Sequence, residues 1–204
     1  MIPELNDAHF EDQTFEHLDA AEIELVKKSF TRCTFQNCQF FETTFDNCRF
    51  EKCHFLDSDL SMAKVKECTW LDVQFEKCKL MGINWTLSKN LHILDMDFKG
   101  CVLTYGSFMG LDLKNLTFED CLTKGVNFGE SDLTDVGFIR CDLSESDFLH
   151  TNLTNADFRT AKNYAINLND NKVEGAKFTF PEALSLLKSY NIIIEFDNQD
   201  QDED

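Results

Sequence analysis

An apolar residue, most often Phe or Leu, recurs at every fifth position along most of this chain. From Phe10 the frame runs through Phe15, Ala20, Leu25 and Phe30 to Trp85. After a break it resumes three residues out of step at Ile93, then passes through Phe98, Leu103, Phe108 and Leu113 to Phe158. Asn163, Leu168, Val173 and Phe178 form its tail. Of the 20 Phe, all but Phe41, Phe180 and Phe196 occupy this one slot. Helices repeat their apolar face every 3.6 residues and strands every two, so neither element alone gives a period of five.

A second slot, two residues earlier, holds small or compact side chains such as Cys33, Cys38, Thr43, Cys48, Ser58, Ala63, Cys101, Cys121, Val126, Ser131 and Cys141. Two inward positions spaced by two mean extended backbone. Because five is odd, a straight strand would turn the next repeat inside out. Each repeat must therefore hold a corner, and a chain that turns every five residues closes into a coil. Phe and Leu alternate with a period of ten from Phe98 to Phe158, which requires an even number of repeats per turn. Cys101, Cys121 and Cys141 recur at twenty, and four repeats per turn puts them on one wall. The same arithmetic predicts an aromatic column of Phe98, Phe118, Phe138, Phe158 and Phe178, and an aliphatic one of Leu113, Leu133, Leu153 and Val173.

Stretches such as Ser131-Asp132-Leu133-Thr134-Asp135 and Ala156-Asp157-Phe158-Arg159-Thr160 resemble the consensus of the pentapeptide-repeat family. That consensus is a small residue, Asp or Asn, Leu or Phe, and two polar residues. The resemblance implies an all-β fold, a right-handed quadrilateral β-helix, over residues 1–180 with a break near 86–94.

All nine cysteines fall in the small inward slot, where they read as compact hydrophobes rather than zinc ligands. Consecutive pairs such as Cys33 and Cys38 line different walls. His9, His17, His54, His92 and His150 share no spacing, and no phosphate loop, nucleophile elbow or HExxH pattern is present. The expectation is a protein with no catalytic residues, no metal and no cofactor. No apolar run is long enough to span a bilayer, and Met1 to Phe10 lacks the regions of a signal peptide. A cytoplasmic, non-membrane protein is expected.

Residues 19–28 fill the frame weakly and suggest an irregular first rung or a cap. Thr86 to Leu94 is either a contact-bearing loop or a packing adjustment where Trp85 enters the core. Beyond Phe178 the pattern turns helical. Pro181 suits a first helical turn, Ala183, Leu184 and Leu187 form an apolar face with Phe180, and Asn191 ends the helix. Ile192 to Ile194 reads as a short strand, so residues 181–196 make a capping element. Three consecutive Ile cannot all face one core. Phe180, Leu184, Leu187, Tyr190, Ile192 and Ile194 are therefore candidates for a homodimer interface. Residues 197–204 form an acidic tail expected to be disordered.

The formal net charge is −18, which argues against direct binding to nucleic acid or anionic lipid. The acid either keeps a long coil soluble or is offered to a basic partner. Residues 1–25 hold eight acids and no Lys or Arg, residues 26–129 balance, and residues 130–180 hold nine acids against five bases. The C-terminal run from Phe180 to Leu187 and the junction from Met81 to Thr86 resemble the albicidin-resistance members of the family. The microcin-immunity and Qnr proteins are wider relatives. The resemblance implies a dimeric rod that mimics DNA and protects DNA gyrase or topoisomerase IV from inhibitors. Asp132, Asp135, Asp142, Glu145, Asp147 and Asp157 would then face the basic DNA-binding saddle. The alternative is an adaptor solenoid with an unrelated protein partner.

Overall fold

A computed structural model describes residues 3–89, 94–190, 192, 193 and 195. The chain winds as a parallel β-solenoid with four walls per turn, visited in chain order. The first wall carries strands His9–Glu11, Ser29–Thr31, Arg49–Glu51 and Thr69–Leu71, then bridges from Asp112 through Asp132 and Asn152 to Lys172. The second carries seven strands, from Thr14–Glu16 to Gly137–Ile139, with Phe15 on Phe35, Phe35 on Phe55 and Phe98 on Phe118. The third is held by single bridges, from Asp19 through Asp59 and Leu122 to Lys162. The fourth begins with Glu24–Val26, Thr44–Asp46 and Lys64–Lys66 and continues through Asn84, Ser107, Asn127 and Asp147.

The corner that a five-residue repeat demands lies two residues past each central side chain. Asp12, Arg32, Tyr105 and Asp135 all take left-handed φ there, between 53° and 60°. Outside glycine that conformation costs roughly 1–2 kcal/mol per residue. The corner amide is not orphaned, since Asp12 N–H donates to Thr31 O at 3.0 Å and Arg32 N–H to Glu51 O at 2.9 Å.

The alternation of Phe and Leu fills the coil with two facing aromatic columns. Phe98, Phe118, Phe138, Phe158 and Phe178 stack at 5.1–5.2 Å. Trp85, Phe108, Phe128 and Phe148 form the column of the fourth wall. The two columns meet edge to face, as Phe128 and Phe138 do at 5.6 Å and 75°, an arrangement favoured by the ring quadrupoles. Leu113, Leu133 and Leu153 line the first wall between them, and Leu103 and Leu143 the third, all fully buried.

The small slot does more than fill space. Cys48, Cys53, Cys78 and Cys101 donate their thiol protons to the carbonyls of Leu25, Phe30, Phe55 and Phe75, the central residues of the rung before. Thr43 and Thr151 do the same with hydroxyls, to Ala20 O at 2.6 Å and Phe128 O at 3.0 Å. Cys in this slot is therefore a donor as well as a compact hydrophobe.

Three local readings of the sequence change. Residues 19–28 form a regular rung, with Ala20 and Leu25 buried and Glu24–Val26 a strand. The N-terminal plug comes earlier, at the 3₁₀ turn Pro3–Leu5, where Lys28 Nζ donates to Leu5 O at 2.9 Å and Asp7 O at 2.6 Å. Asn163 is exposed and left-handed rather than inward, and Tyr164 and Ile166 enter the core in its place. The C-terminal helix is a 3₁₀ helix, Glu182–Tyr190. Its repeat of three puts Ala183 and Leu186 against the coil, leaving Leu184 and Leu187 half-buried.

The frame shift at the break is retained as register. Val73 pairs with Met96, Lys79 with Val102 and Asn84 with Ser107, three positions beyond the usual spacing. Trp85 opens a 3₁₀ turn, Trp85–Leu87, and is fully buried. Ile192 and Ile193 lie outside any strand. Ile93, Asn191, Ile194, Phe196 and the tail 197–204 lie outside the described residues.

Candidate protein-interaction surface

The residues before the central Phe or Leu point outward, and their side chains have a job within the coil. Asp142 Oδ1 accepts from Ser144 N–H at 3.0 Å, Asp147 Oδ1 from Leu149 N–H at 2.9 Å, and Asp157 Oδ1 from Arg159 N–H at 3.1 Å. Asp132 accepts from both the amide and the hydroxyl of Thr134. Such Asx turns hold the corner that follows. Asn127 and Asn152 accept in the same way from Gly129 and Thr154, so the geometry requires an acceptor and not a charge.

The six acids singled out in the sequence are all outward, but they do not share a face. Asp132, Asp157, Asp142 and Asp147 stand on the first, second, third and fourth walls respectively. Asp135 and Glu145 occupy the corners after the first and third walls. A period of five steps from wall to wall, so acids placed one per repeat encircle the coil. Only residues twenty apart, such as Asp112 and Asp132, can build a stripe.

Ion pairs neutralise part of this acid. Arg32 clamps Asp12 and Glu11 at 2.6 Å each, and Arg140 clamps Asp120 and Glu119 in the same geometry one wall on. The guanidinium beside Asp12 and that beside Asp120 hold both carboxyls below the usual range. Asp157 is lowered by Arg159, and Asp142 by the Asn163 amide that donates to it at 2.9 Å. Burial pushes Asp132 upward, but Thr134 and Lys114 outweigh it and the net shift is down. Glu145 pairs with Lys124 at 3.0 Å. Among the described residues, Asp135, Asp142 and Asp147 make no ion pair, and they sit on three different sides.

The second wall carries a shallow depression of about 310 Å³ lined by His54, Gln74, Glu76, Asp97, Lys99 and Glu119. His54 Nε2 lies 3.7 Å from Glu76, and burial raises the Asp97 carboxyl. Among the described residues no group of three or more His, Cys, Asp and Glu is placed to hold a metal ion. The nine cysteines are free and buried. No helix among those residues is long and apolar enough to cross a membrane.

The C-terminal end exposes apolar side chains that nothing among the described residues covers. Phe180 is 69% exposed, Tyr190 45%, Ile192 54% and Ile193 89%. Tyr190 is tethered at its hydroxyl, which donates to Asn169 Oδ1 at 3.3 Å.

Two repeat families match the sequence. Residues 28–94 match the pentapeptide repeat region family, and residues 124–159 match pentapeptide repeats in eight copies. No curated protein matches the chain in sequence. Among solved structures, trypsin-treated QnrB1, a plasmid-mediated fluoroquinolone resistance protein, is 18% identical with a TM-score of 0.61 over 92% of both chains. Full-length QnrB1 is 14% identical with a TM-score of 0.55, over 88% of this chain and all of its own. HetL, a pentapeptide repeat protein involved in heterocyst differentiation regulation from the cyanobacterium Nostoc, is 13% identical with a TM-score of 0.35, over 85% of this chain and 90% of its own.

Proposed function

The chain belongs to the pentapeptide-repeat family, and from that premise we propose that it acts by contact rather than by catalysis, as a rigid acidic rod standing in for duplex DNA. Its partner is a type II topoisomerase, DNA gyrase or topoisomerase IV, in the cytoplasm, and binding shields that enzyme from inhibitors. The observation that carries the reading is the linear density of charge. Six acids of the net charge of −18 lie in the tail from Glu195 to Asp204, and the remaining −12 is mounted on a coil that advances about 4.8 Å per four repeats, which gives one net charge per ~3.4 Å, about half the density of duplex DNA. Duplex DNA carries one per ~1.7 Å. The fold shared with a fluoroquinolone resistance protein is consistent with this role. A second copy covers the exposed C-terminal residues Phe180, Tyr190, Ile192 and Ile193 and doubles the length of the rod.

The test is gyrase supercoiling of relaxed plasmid, titrated with the purified protein, with and without albicidin or a fluoroquinolone. Inhibition of supercoiling, or rescue from either drug, supports the reading. No effect at large excess over the enzyme removes it. A second reading, an adaptor solenoid with an unrelated protein partner, is favoured by the spread of acids over four walls and by their use in corner caps. That reading takes over if the topoisomerase is unaffected.

A further inference from the structure

The first turn of the coil ends in open backbone. The seven strands of the second wall terminate at Thr14–Glu16, which pairs on one side only, with Thr34–Gln36. On that side Thr34 N–H donates to Gln13 O at 2.9 Å and His17 N–H to Gln36 O at 3.0 Å. A parallel ladder uses backbone groups of alternate residues on its two sides, so the amides and carbonyls of Thr14 and Glu16 face away from the coil. Among the described residues no backbone group bonds to them.

A cleft of about 400 Å³ lies against this edge, lined by Glu4, Thr14, Phe15, Glu16, Leu18 and Asp19. Glu4 belongs to the 3₁₀ turn Pro3–Leu5, which Lys28 anchors at the corner of the fourth and first walls through Leu5 O and Asp7 O. The turn buries Leu5 against the core and leaves the second wall open. Phe15 is 6% exposed, whereas Phe35 and Phe55, next in its column, are 1% and 0%. The end of the aromatic column thus surfaces in the cleft.

The charge around the edge has one sign. Residues 1–25 hold eight acids and no Lys or Arg. Arg32 neutralises Glu11 and Asp12. Glu4, Glu16 and Asp19, the three acids of the cleft, are exposed and make no ion pair among the described residues.

We propose that this edge takes a basic extended segment of another protein by strand addition. The segment's backbone pairs with Thr14 and Glu16, its middle residue turns inward over Phe15 and is apolar, and the Lys or Arg side chains on either side face outward to Glu4, Glu16 and Asp19. A wall three residues long limits the paired core to about 10 Å. A second copy of the chain does not fit. Its own first turn carries the same eight acids, and its other end is closed by the helix Glu182–Tyr190 and followed by six more. The site lies at the opposite end of the coil from Phe180 and Tyr190, and it does not depend on the topoisomerase reading.

The experiment follows the fluorescence anisotropy of a labelled peptide of about seven residues that alternates lysine with valine, a good strand former, as the full chain is added. A second peptide has proline in place of each valine, which keeps the charge and prevents strand pairing. Thr14→Pro removes the edge amide at a position where a strand tolerates proline, and thermal unfolding checks its fold. The proposal requires saturable binding of the valine peptide, about tenfold weaker binding of the proline peptide, and a similar loss in Thr14→Pro. Glu16→Gln with Asp19→Asn, which keeps the acceptor for Ala21 N–H, should weaken binding and flatten its salt dependence. Equal binding of the two peptides by the wild-type chain overturns the proposal, because acid alone would then be attracting cations. Affinity within about twofold of wild type in a folded Thr14→Pro chain, or no saturable binding of the valine peptide, overturns it as well.

Discussion

The thiol of Cys121 donates a hydrogen bond to the carbonyl oxygen of Phe98, 23 residues earlier, at 3.4 Å. Cys141 repeats the contact one turn on, to Phe118 O at 3.2 Å. The carbonyl of the central residue lies within reach of the small slot one turn on, and at several corners it also accepts a backbone amide, as Phe128 O does from Ser131 N–H at 3.2 Å. A buried carbonyl without a donor costs about 1–3 kcal/mol. Cys, Ser and Thr in the small slot supply that donor from the next rung.

Protonated thiols are therefore part of the fold, and stability responds to alkali. Burial pushes Cys53 from 9.0 up to about 11, and the neighbouring Cys101 thiol together with burial pushes Cys121 to about 12. Groups whose folded pKa is raised contribute stability below the unfolded value and lose it as pH rises through the folded value. The urea midpoint is expected to hold up to about pH 9 and to fall between there and about pH 12. Replacing Cys53 and Cys121 by Ser should flatten that fall while keeping the donors. An unchanged slope would show that other groups set the alkaline limit.

Phe138 stacks on Phe118 and Phe158 and meets Phe128 edge-on. Phe138→Ala opens a cavity in the column and is expected to destabilise by about 3–5 kcal/mol in equilibrium urea unfolding. A loss under about 1 kcal/mol would mean that the stack contributes little beyond shape.

Asp147 separates charge from corner geometry. Asp147→Asn keeps the acceptor for Leu149 N–H and should leave stability within about 0.5 kcal/mol. Asp147→Ala removes it and should cost about 1 kcal/mol. Equal stability of the two variants would show that the corner does not depend on the cap.

Ile193 is 89% exposed and packs against nothing among the described residues. Ile193→Glu is expected to shift the mass seen by light scattering from dimer to monomer without changing the thermal unfolding of the coil. A wild-type chain that is already monomeric would contradict the end-to-end pair.

The coil itself was legible because its two inward slots recur without regard to local propensity, and cysteines twenty apart fix the number of walls. Positions that broke the count were not legible. Asn163 occupies the central slot by number, yet Tyr164 fills the core, since a bulky ring beside a left-handed Asn satisfies both the corner and the end of the Phe158–Phe178 column. The corner role of the acids was not legible for a related reason. Asp142 and Asp147 look like charge in a one-dimensional count, but Asn84, Asn127 and Asn152 stand in equivalent positions and make the same bond. That interchange of Asp and Asn was the available sign of a corner cap.

Displacement of labelled duplex DNA from gyrase by the purified chain tests the central claim most directly. Fluorescence anisotropy of the DNA should fall to its free value as the protein is added, with a midpoint that rises steeply with salt. Anisotropy that stays at its bound value with the protein in large excess would contradict DNA mimicry.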